Sequence, residues 1–311
     1  MFSISSAHAA SESLRGEVED LVAACNRADG TASSVDFDTS LNFRQELPAW
    51  HAAREGQGEG GRLLGILSIF APEADRAEIT ALVRPEARRR GLFSALLAAA
   101  EARLEGLGYR ELLFLRDAAS VPGGKLVELL RERRGASLDH REFSMVLKGS
   151  NAPEAKLPEG LLIERAAGGD IGELAALNSQ AFGDTEAEAR SFLEATFAVP
   201  QRRVLVARGE AARSAAAGPI LGMVSVFVEG GEASINGLLA AKEERRRGIG
   251  SSLLDRAIGL AAAEGAARIC LEVDALNRGA LGLYLRRGFE IESEDEYWKA
   301  PLQAGARARE P

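Results

Sequence analysis

Two stretches of the chain carry nearly the same phrase, and their spacing constrains the fold more than any other feature. Residues 85–100, PEARRRGLFSALLAAA, and residues 242–257, KEERRRGIGSSLLDRA, superpose when the sequence is laid on itself. Arg88, Arg89, Arg90 and Gly91 fall on Arg245, Arg246, Arg247 and Gly248, a shift of 157 positions. The match runs on, with Leu96 and Leu97 on Leu253 and Leu254, Gly108 on Gly265, and Asp117 on Asp274. Two copies, each much longer than a solenoid unit, imply two homologous domains in one chain. At 311 residues the chain is long enough for both. The stretch KGSNAPEAKLPEG, residues 148–160, has the Pro, Gly and small polar content of an exposed linker. The expected division is therefore a domain over 1–148, a linker over 149–160, a domain over 161–300 and a fraying tail over 301–311.

Within each copy the order of elements repeats. GRLLGILSIF and GPILGMVSVFV read as strands, and AEITALV and ASINGLLA as their hairpin partners. The arginine-glycine loop follows, then a helix. Leu92, Leu96, Leu97, Ala100 and Leu104 keep helical spacing in the first copy, as do Leu253, Leu254, Ala257, Ile258 and Ala261 in the second. A Gly-containing turn leads into ELLFLRD or ARICLEVD, each a further strand, and DHREFSMVL closes the first half as a strand. A helix and strand after a hairpin make a mixed α/β layer.

Composition removes several function classes. The formal net charge of -8 argues against a general nucleic-acid binder, because phosphate backbones are held mainly by net positive surface. Cys25 and Cys270 stand far apart, and His8, His51 and His140 add no metal-ligand spacing, so neither a metal site nor a disulfide framework is expected. With no basic-then-apolar leader and no 18-residue apolar stretch, no membrane association is expected, and the reading is a cytoplasmic protein.

A strand that runs through a glycine-rich turn into a helix presents unpaired N–H groups at the positive end of the helix dipole. Gly248 and Gly250 keep side chains away from that backbone, and the arginines add charge, so the loop is suited to an anion. The dipole contributes only roughly 0.3–1 kcal/mol at an exposed site, so several amides must act together. Two other phosphate motifs do not fit. The dinucleotide fingerprint requires a glycine where Leu253 stands, and the nucleotide P-loop requires a lysine that does not follow Gly250.

The second copy resembles the GNAT superfamily of acetyl-coenzyme A dependent N-acetyltransferases, whose signature is Q/R-x-x-G-x-G/A followed by a helix. Arg245, Gly248 and Gly250 match it, and LEVDALNRGALGLYLRRGFE resembles the closing segment of the family: a strand, an Asn, a short helix with a Tyr, then Gly-Phe. The resemblance spans about residues 232–291 and implies two tandem GNAT-like domains, each a mixed, mostly antiparallel sheet flanked by helices. It implies that the N–H groups of Arg246, Arg247, Gly248, Ile249, Gly250 and Ser251 cradle the coenzyme A pyrophosphate, with Arg245 opening the signature. The strand end near Leu238 and Ala240 would pair with the pantetheine arm, as one strand edge pairs with another. No metal is implied.

Acetyl transfer needs a neutral amine and a home for the departing thiolate. Deprotonating a lysine-like amine at neutral pH costs roughly 4 kcal/mol, and releasing a thiolate of cysteine-like pKa roughly 2 kcal/mol. The resemblance makes Tyr284 the general acid. Asn277 begins the same helix, where it is a good cap and a second candidate for coenzyme contact. No base declares itself: Glu229 is placed in the hairpin turn, Glu232 just ahead of a strand and Glu272 in the next strand, and water-mediated proton removal is equally compatible.

The first copy resembles the family more weakly. Arg88, Arg90 and Gly91 are in place as coenzyme contacts, but Phe93 stands where Gly250 does. A phenylalanine need not block the amides, so coenzyme binding there stays open. Ser120 aligns with Asn277, and setting Gly135 on Gly288 puts Arg131 opposite Tyr284, so the phenol is absent. Tyr109, ahead of its strand, is an outlying substitute. The expectation is a degenerate first domain and a second domain that acetylates a primary amine of a small molecule. A peptide or protein amine, or a non-catalytic acyl-coenzyme A sensor, are the alternatives, and the chain is expected to be a monomer or weak dimer.

Overall fold

The computed structural model describes residues 1–56, 60–149, 157–183, 185–210 and 218–303. The chain divides into two compact units, one made of residues 1–142 with 293 onward, the other of residues 143–292.

The first unit contains β1 (Phe2–Ala7), α1 (Glu12–Asp29), β2 (Trp50–Glu55), β3 (Leu63–Phe70), β4 (Arg76–Val83), α2 (Leu92–Gly106), β5 (Glu111–Asp117), α3 (Val121–Arg134) and the start of β6 (Ser137–Leu147). Its strands follow the order β1-β2-β3-β4-β5, antiparallel throughout except for the parallel pair β4 and β5. The second unit contains β7 (Leu162–Arg165), α4 (Ile171–Phe182), α5 (Glu186–Ala198), β8 (Arg202–Arg208), β9 (Ile220–Glu229), β10 (Glu232–Ala240), α6 (Ile249–Ala263), β11 (Arg268–Asp274), α7 (Arg278–Arg286) and the start of β12 (Phe289–Pro301). Its order is β11-β10-β9-β8-β7, again antiparallel apart from β10 and β11. Each unit is thus the expected mixed, mostly antiparallel sheet with helices on its faces.

The units are not consecutive halves of the chain. The last residues of β12 pair antiparallel with β5 of the first unit, from Asp295 opposite Asp117 to Pro301 opposite Glu111. Residues 143–147 of β6 belong to the second unit, on the β11 side of its sheet. The seam expected over 149–160 therefore does not bound the units, because the closing strand of each half is divided between them. Residues 150–156 of the expected linker and 304–311 of the expected tail lie outside the described residues.

Apolar spacing accounts for the packing. All five spaced residues of α2 are buried on the first sheet, and all five of α6 on the second, where Ile249 joins them. On the opposite faces lie helices with weaker sequence signals. Leu14, Val18, Leu21 and Cys25 of α1 cover the first sheet, and Leu174 and Ala175 of α4 with Ala189 and Leu193 of α5 cover the second. Side-chain caps fix the starts of α1 and α5: Ser11 accepts from the Leu14 amide at 3.2 Å, and Thr185 forms a reciprocal box with Glu188. Gly230 and Gly231, both at positive φ, make the tight β9–β10 turn. Glu229 accordingly ends β9, opposite Glu232, rather than sitting in the turn. Among the described residues no helix is long and apolar enough to cross a membrane.

Candidate active site

The two arginine-glycine loops have one backbone. Each follows a short 3-10 turn, Pro85–Ala87 or Lys242–Glu244. Arg89 and Arg246 then adopt φ of 63° and 64°, and Gly91 and Gly248 adopt 81° and 87° at the helix N-caps. A left-handed arginine costs on the order of 1 kcal/mol, and it recurs at matching positions of the two copies. The Ser252 amide reaches the Gly248 carbonyl at 3.0 Å as the first bond of α6, and no side chain caps that end. The amides of Ile249, Gly250 and Ser251 lie ahead of this bond, without intrahelical partners, and a turn of left-handed then right-handed backbone is the geometry of an anion-binding concavity.

Side chains around the loops differ. Arg245, Arg246 and Arg247 are exposed, and among the described residues Arg247 is the one engaged, by Glu244. Arg88, the counterpart of Arg245, is held by both carboxylate oxygens of Asp29 at 2.7 Å and donates through Nε to the Val83 carbonyl at 3.1 Å. Its guanidinium is therefore a strut between loop and α1, whereas Arg90 and Gly91 stay exposed.

Gly250 is in ordinary helical conformation, and a Cβ there would meet only Leu283 of α7, at 3.9 Å. Neither backbone nor packing demands a glycine at this position. Phe93 fills the matching place in the first unit, half-buried against the core of that unit. Gly222 has an internal reason: a Cβ would lie 2.7 Å from the Leu239 carbonyl and 3.0 Å from Ile249 and Leu253. Gly65 is its counterpart under α2, with the Leu82 carbonyl at 3.1 Å. These two glycines let the helix start settle on the sheet. Both lie inside apolar strands, where no local sequence signal marks them.

The parallel strands open beside the loop. Pairing of β10 with β11 ends at Ile235 and Leu271, although both strands run on. At the same level β10 carries a bulge: Asn236 faces Ser225 and Leu239 faces Met223, so Gly237 and Leu238 together oppose Val224. Gly237, at φ 60°, supplies the left-handed residue. The bulge puts Leu238 and Ala240 on the α6 side and Leu239 on the α4 side. It frees main-chain groups of β10 where the strands part. In the first unit β4 and β5 also part, after Ile79 and Phe114, but β4 pairs with β3 without interruption.

Tyr284, on α7, joins the core on the α6 side of the second sheet. It is 7% exposed, with its ring edge-on to Phe289 at 6.0 Å, and among the described residues its hydroxyl has no hydrogen-bond partner. Burial pushes its pKa up to about 12, so the phenol holds its proton at neutral pH. Asn277 caps α7, accepting from the Ala280 amide at 3.1 Å. The end of α7 is clamped by Arg287, whose Nε and Nη2 reach the buried carboxylate of Asp255 on α6 at 2.5 and 3.2 Å. In the first unit Arg134, at the end of α3, grips buried Glu101 of α2 in the same manner. No sequence signal marked either pair, because the partners lie far apart along the chain.

The first unit has no phenol at the corresponding place. Counting from the shared loop puts Val127 there, and counting back from Gly135 puts Arg131, whose guanidinium lies over Trp298 at 5.9 Å. Tyr109 is buried in the core of that unit, with burial pushing it up to about 12. The candidate carboxylates of the second unit separate cleanly. Glu229 and Glu232 sit at the closed end of β10, where Glu232 lies 3.6 Å from Arg268. Glu272 follows the last paired residue of β11, at the opening.

A family model described as "Acetyltransferase (GNAT) family" matches residues 17–123 and 173–289. A mycothiol acetyltransferase of Clavibacter michiganensis subsp. michiganensis is 29% identical over 255 residues, covering 78% of each chain. Another, of Propionibacterium freudenreichii subsp. shermanii, is 27% identical over 297 residues, covering 90% of this chain and 87% of its own. Among solved structures, a GCN5-related N-acetyltransferase from Sphaerobacter thermophilus has a TM-score of 0.71 at 20% identity, covering 99% of this chain and 98% of its own. A tandem GNAT protein from the clavulanic acid biosynthesis pathway has a TM-score of 0.68 at 18% identity, covering 98% of this chain and 100% of its own. These structures share the fold.

Proposed function

The chain belongs to the acetyltransferase (GNAT) family, and from that premise we propose that it is an acetyl-coenzyme A dependent N-acetyltransferase whose second unit transfers to a primary amine of a small molecule. The observation that carries the reading is the meeting, in one unit, of an uncapped helix start with an opened and bulged strand pair. The curated relatives are named for a small molecule, mycothiol, which favours a small acceptor over a protein.

The fit to coenzyme A rests on geometry. The free amides of Ile249, Gly250 and Ser251 suit a pyrophosphate, with the exposed Arg245 and Arg246 adding charge. With no side chain at Gly250 the backbone at the start of α6 can be approached closely, and the main chain of β10 near Leu238 and Ala240 suits the pantetheine amides. Bound there, acetyl-coenzyme A supplies an acetyl group already activated as a thioester. Asn277 supports the site by holding the start of α7, and its exposed end leaves a coenzyme contact open.

Tyr284 acts by holding a proton rather than by giving it up early. With a pKa of about 12, full transfer to a thiolate of pKa near 8.5 would be uphill by roughly 4–5 kcal/mol. Its phenol instead donates a hydrogen bond to sulfur as negative charge develops there, which is the stage at which such a bond stabilises most. Main-chain N–H groups freed by the bulge of β10 can do the same for the carbonyl oxygen.

The test is thiol release from acetyl-coenzyme A in the presence of small primary amines, with mass detection of the acetylated product. Amine-dependent release that falls in Tyr284→Phe supports the reading. Tight acetyl-coenzyme A binding with no transfer to any amine would favour an acyl-coenzyme A sensor.

A further inference from the structure

The opened strand pair has a polar side that the coenzyme reading leaves unused. Met223, on β9, packs under α4 and α5, so Ser225, two residues on, faces the same way. Asn236 is the cross-strand partner of Ser225 on β10 and alternates with Ile235, which packs toward α6. Glu272 follows Leu271, the last paired residue of β11, and lies between Leu271 and Val273, both packed toward α6. Ser225, Asn236 and Glu272 therefore form a row across three strands, on one face, at the level where β10 and β11 part. Adjacent strands stand about 4.8 Å apart, so the row spans the width of a small molecule.

Ser225 gives the row its meaning. It is 5% exposed, and its hydroxyl is buried without a hydrogen-bond partner among the described residues. A buried hydroxyl left unpaired is costly, and a serine with a structural role would be expected to find a partner or be replaced by alanine. Asn236 beside it is exposed, and Ser234 and Cys270, next along the same face, extend the polar surface with a 3.6 Å contact.

We infer that Ser225, Asn236 and Glu272 form the acceptor subsite, and that the acceptor is a small amine bearing a hydroxyl next to its amino carbon. This rests on the transferase reading of the second unit. Glu272 attracts the ammonium group to the opening, and Asn236 and Ser225 hydrogen-bond the neighbouring hydroxyl. The apolar arm of a lysine side chain offers nothing to such a row, so the subsite discriminates against protein acceptors. A site built to bond a hydroxyl rejects analogues that lack it far more strongly than an apolar pocket rejects an added one.

The test compares 2-amino-1,3-propanediol with 2-aminopropane, which share the amine carbon and differ in hydroxyls, on the full chain. The wild type is expected to prefer the diol at least tenfold in kcat/KM. Ser225→Ala and Asn236→Ala should each bring the ratio toward one through KM, and Glu272→Gln should weaken both amines at least tenfold. Melting curves identify any variant that fails to fold, and titration with acetyl-coenzyme A checks the reading beneath. A folded Ser225→Ala variant with raised Tm and an unchanged ratio would overturn the inference, as would equal use of both amines or use of neither by a protein that binds acetyl-coenzyme A. A parent that does not bind acetyl-coenzyme A would instead overturn the transferase reading.

Discussion

In the first unit Arg88 is locked between Asp29 and the Val83 carbonyl, Phe93 fills the place beside the helix start, and β4 runs without a bulge. In the second unit Arg245 is exposed, Gly250 leaves that place open, and β10 bulges at Gly237 where the strands part. The backbone of the loop is the same in both, down to the left-handed arginine. The row at the opening diverges as well: Ser225, Asn236 and Glu272 in one, Ser68, Thr80 and Leu115 in the other. The difference teaches that loop conformation is retained as architecture, since it starts a core helix, while chemistry depends on the strand and helix around it.

The comparison can be broken most forcefully at Gly250. Gly250→Phe copies Phe93 and should weaken acetyl-coenzyme A binding more than a thousandfold, about 4 kcal/mol, in a titration. The reverse change, Phe93→Gly, should leave turnover unaltered. At the helix clamps the units should behave alike. Removing Arg287 takes the ion-pair partner from buried Asp255, and removing Arg134 takes that of buried Glu101, which keeps the Gln303 amide at 3.4 Å, so each alanine variant should lose about 3 kcal/mol in denaturant unfolding. Only Arg287→Ala should also slow turnover, because α7 carries Tyr284.

Tyr284→Phe should lower kcat about thirtyfold, near 2 kcal/mol, with acetyl-coenzyme A affinity unchanged. The smallest effect is expected from a pair in the first unit. Asp117 is fixed by the amides of Ala32 and Ala119 and faces Asp295 across the β5–β12 ladder. Burial, with Asp117 and Glu142 nearby, pushes Asp295 up to about 6. A carboxyl that holds its proton more tightly folded than unfolded favours the folded state at acidic pH, and that contribution fades as pH rises through 6. The Tm should therefore fall by a few degrees between pH 5 and pH 7, and Asp295→Asn should flatten the fall.

Much of this was legible in the sequence because it is local. Helical spacing located α2 and α6, apolar runs located β3 to β6 and β9 to β11, and Gly248 marked the turn into α6, whereas β1, β2, β7, β8 and β12 lay outside those runs. What escaped is set by partners distant along the chain. Asp29 lies 59 residues from the arginine it holds, Asp255 lies 32 from Arg287, and β12 pairs with a strand of the other half. The bulge of β10 is a matter of register, for which Gly237 was the sole local hint. Helices α1, α4 and α5 carry no functional motif of their own in the sequence, and their places on the sheets are set by strands distant along the chain.

The central claim is that the second unit holds the coenzyme, and matched substitutions test it directly. Gly248→Glu and Gly91→Glu impose the same left-handed strain, on φ of 87° and 81°, and the same negative charge. Acetyl-coenzyme A titrated into the parent should show a site that Gly248→Glu abolishes and Gly91→Glu leaves intact. A folded parent that binds nothing, or a site lost only with Gly91→Glu, would contradict the account.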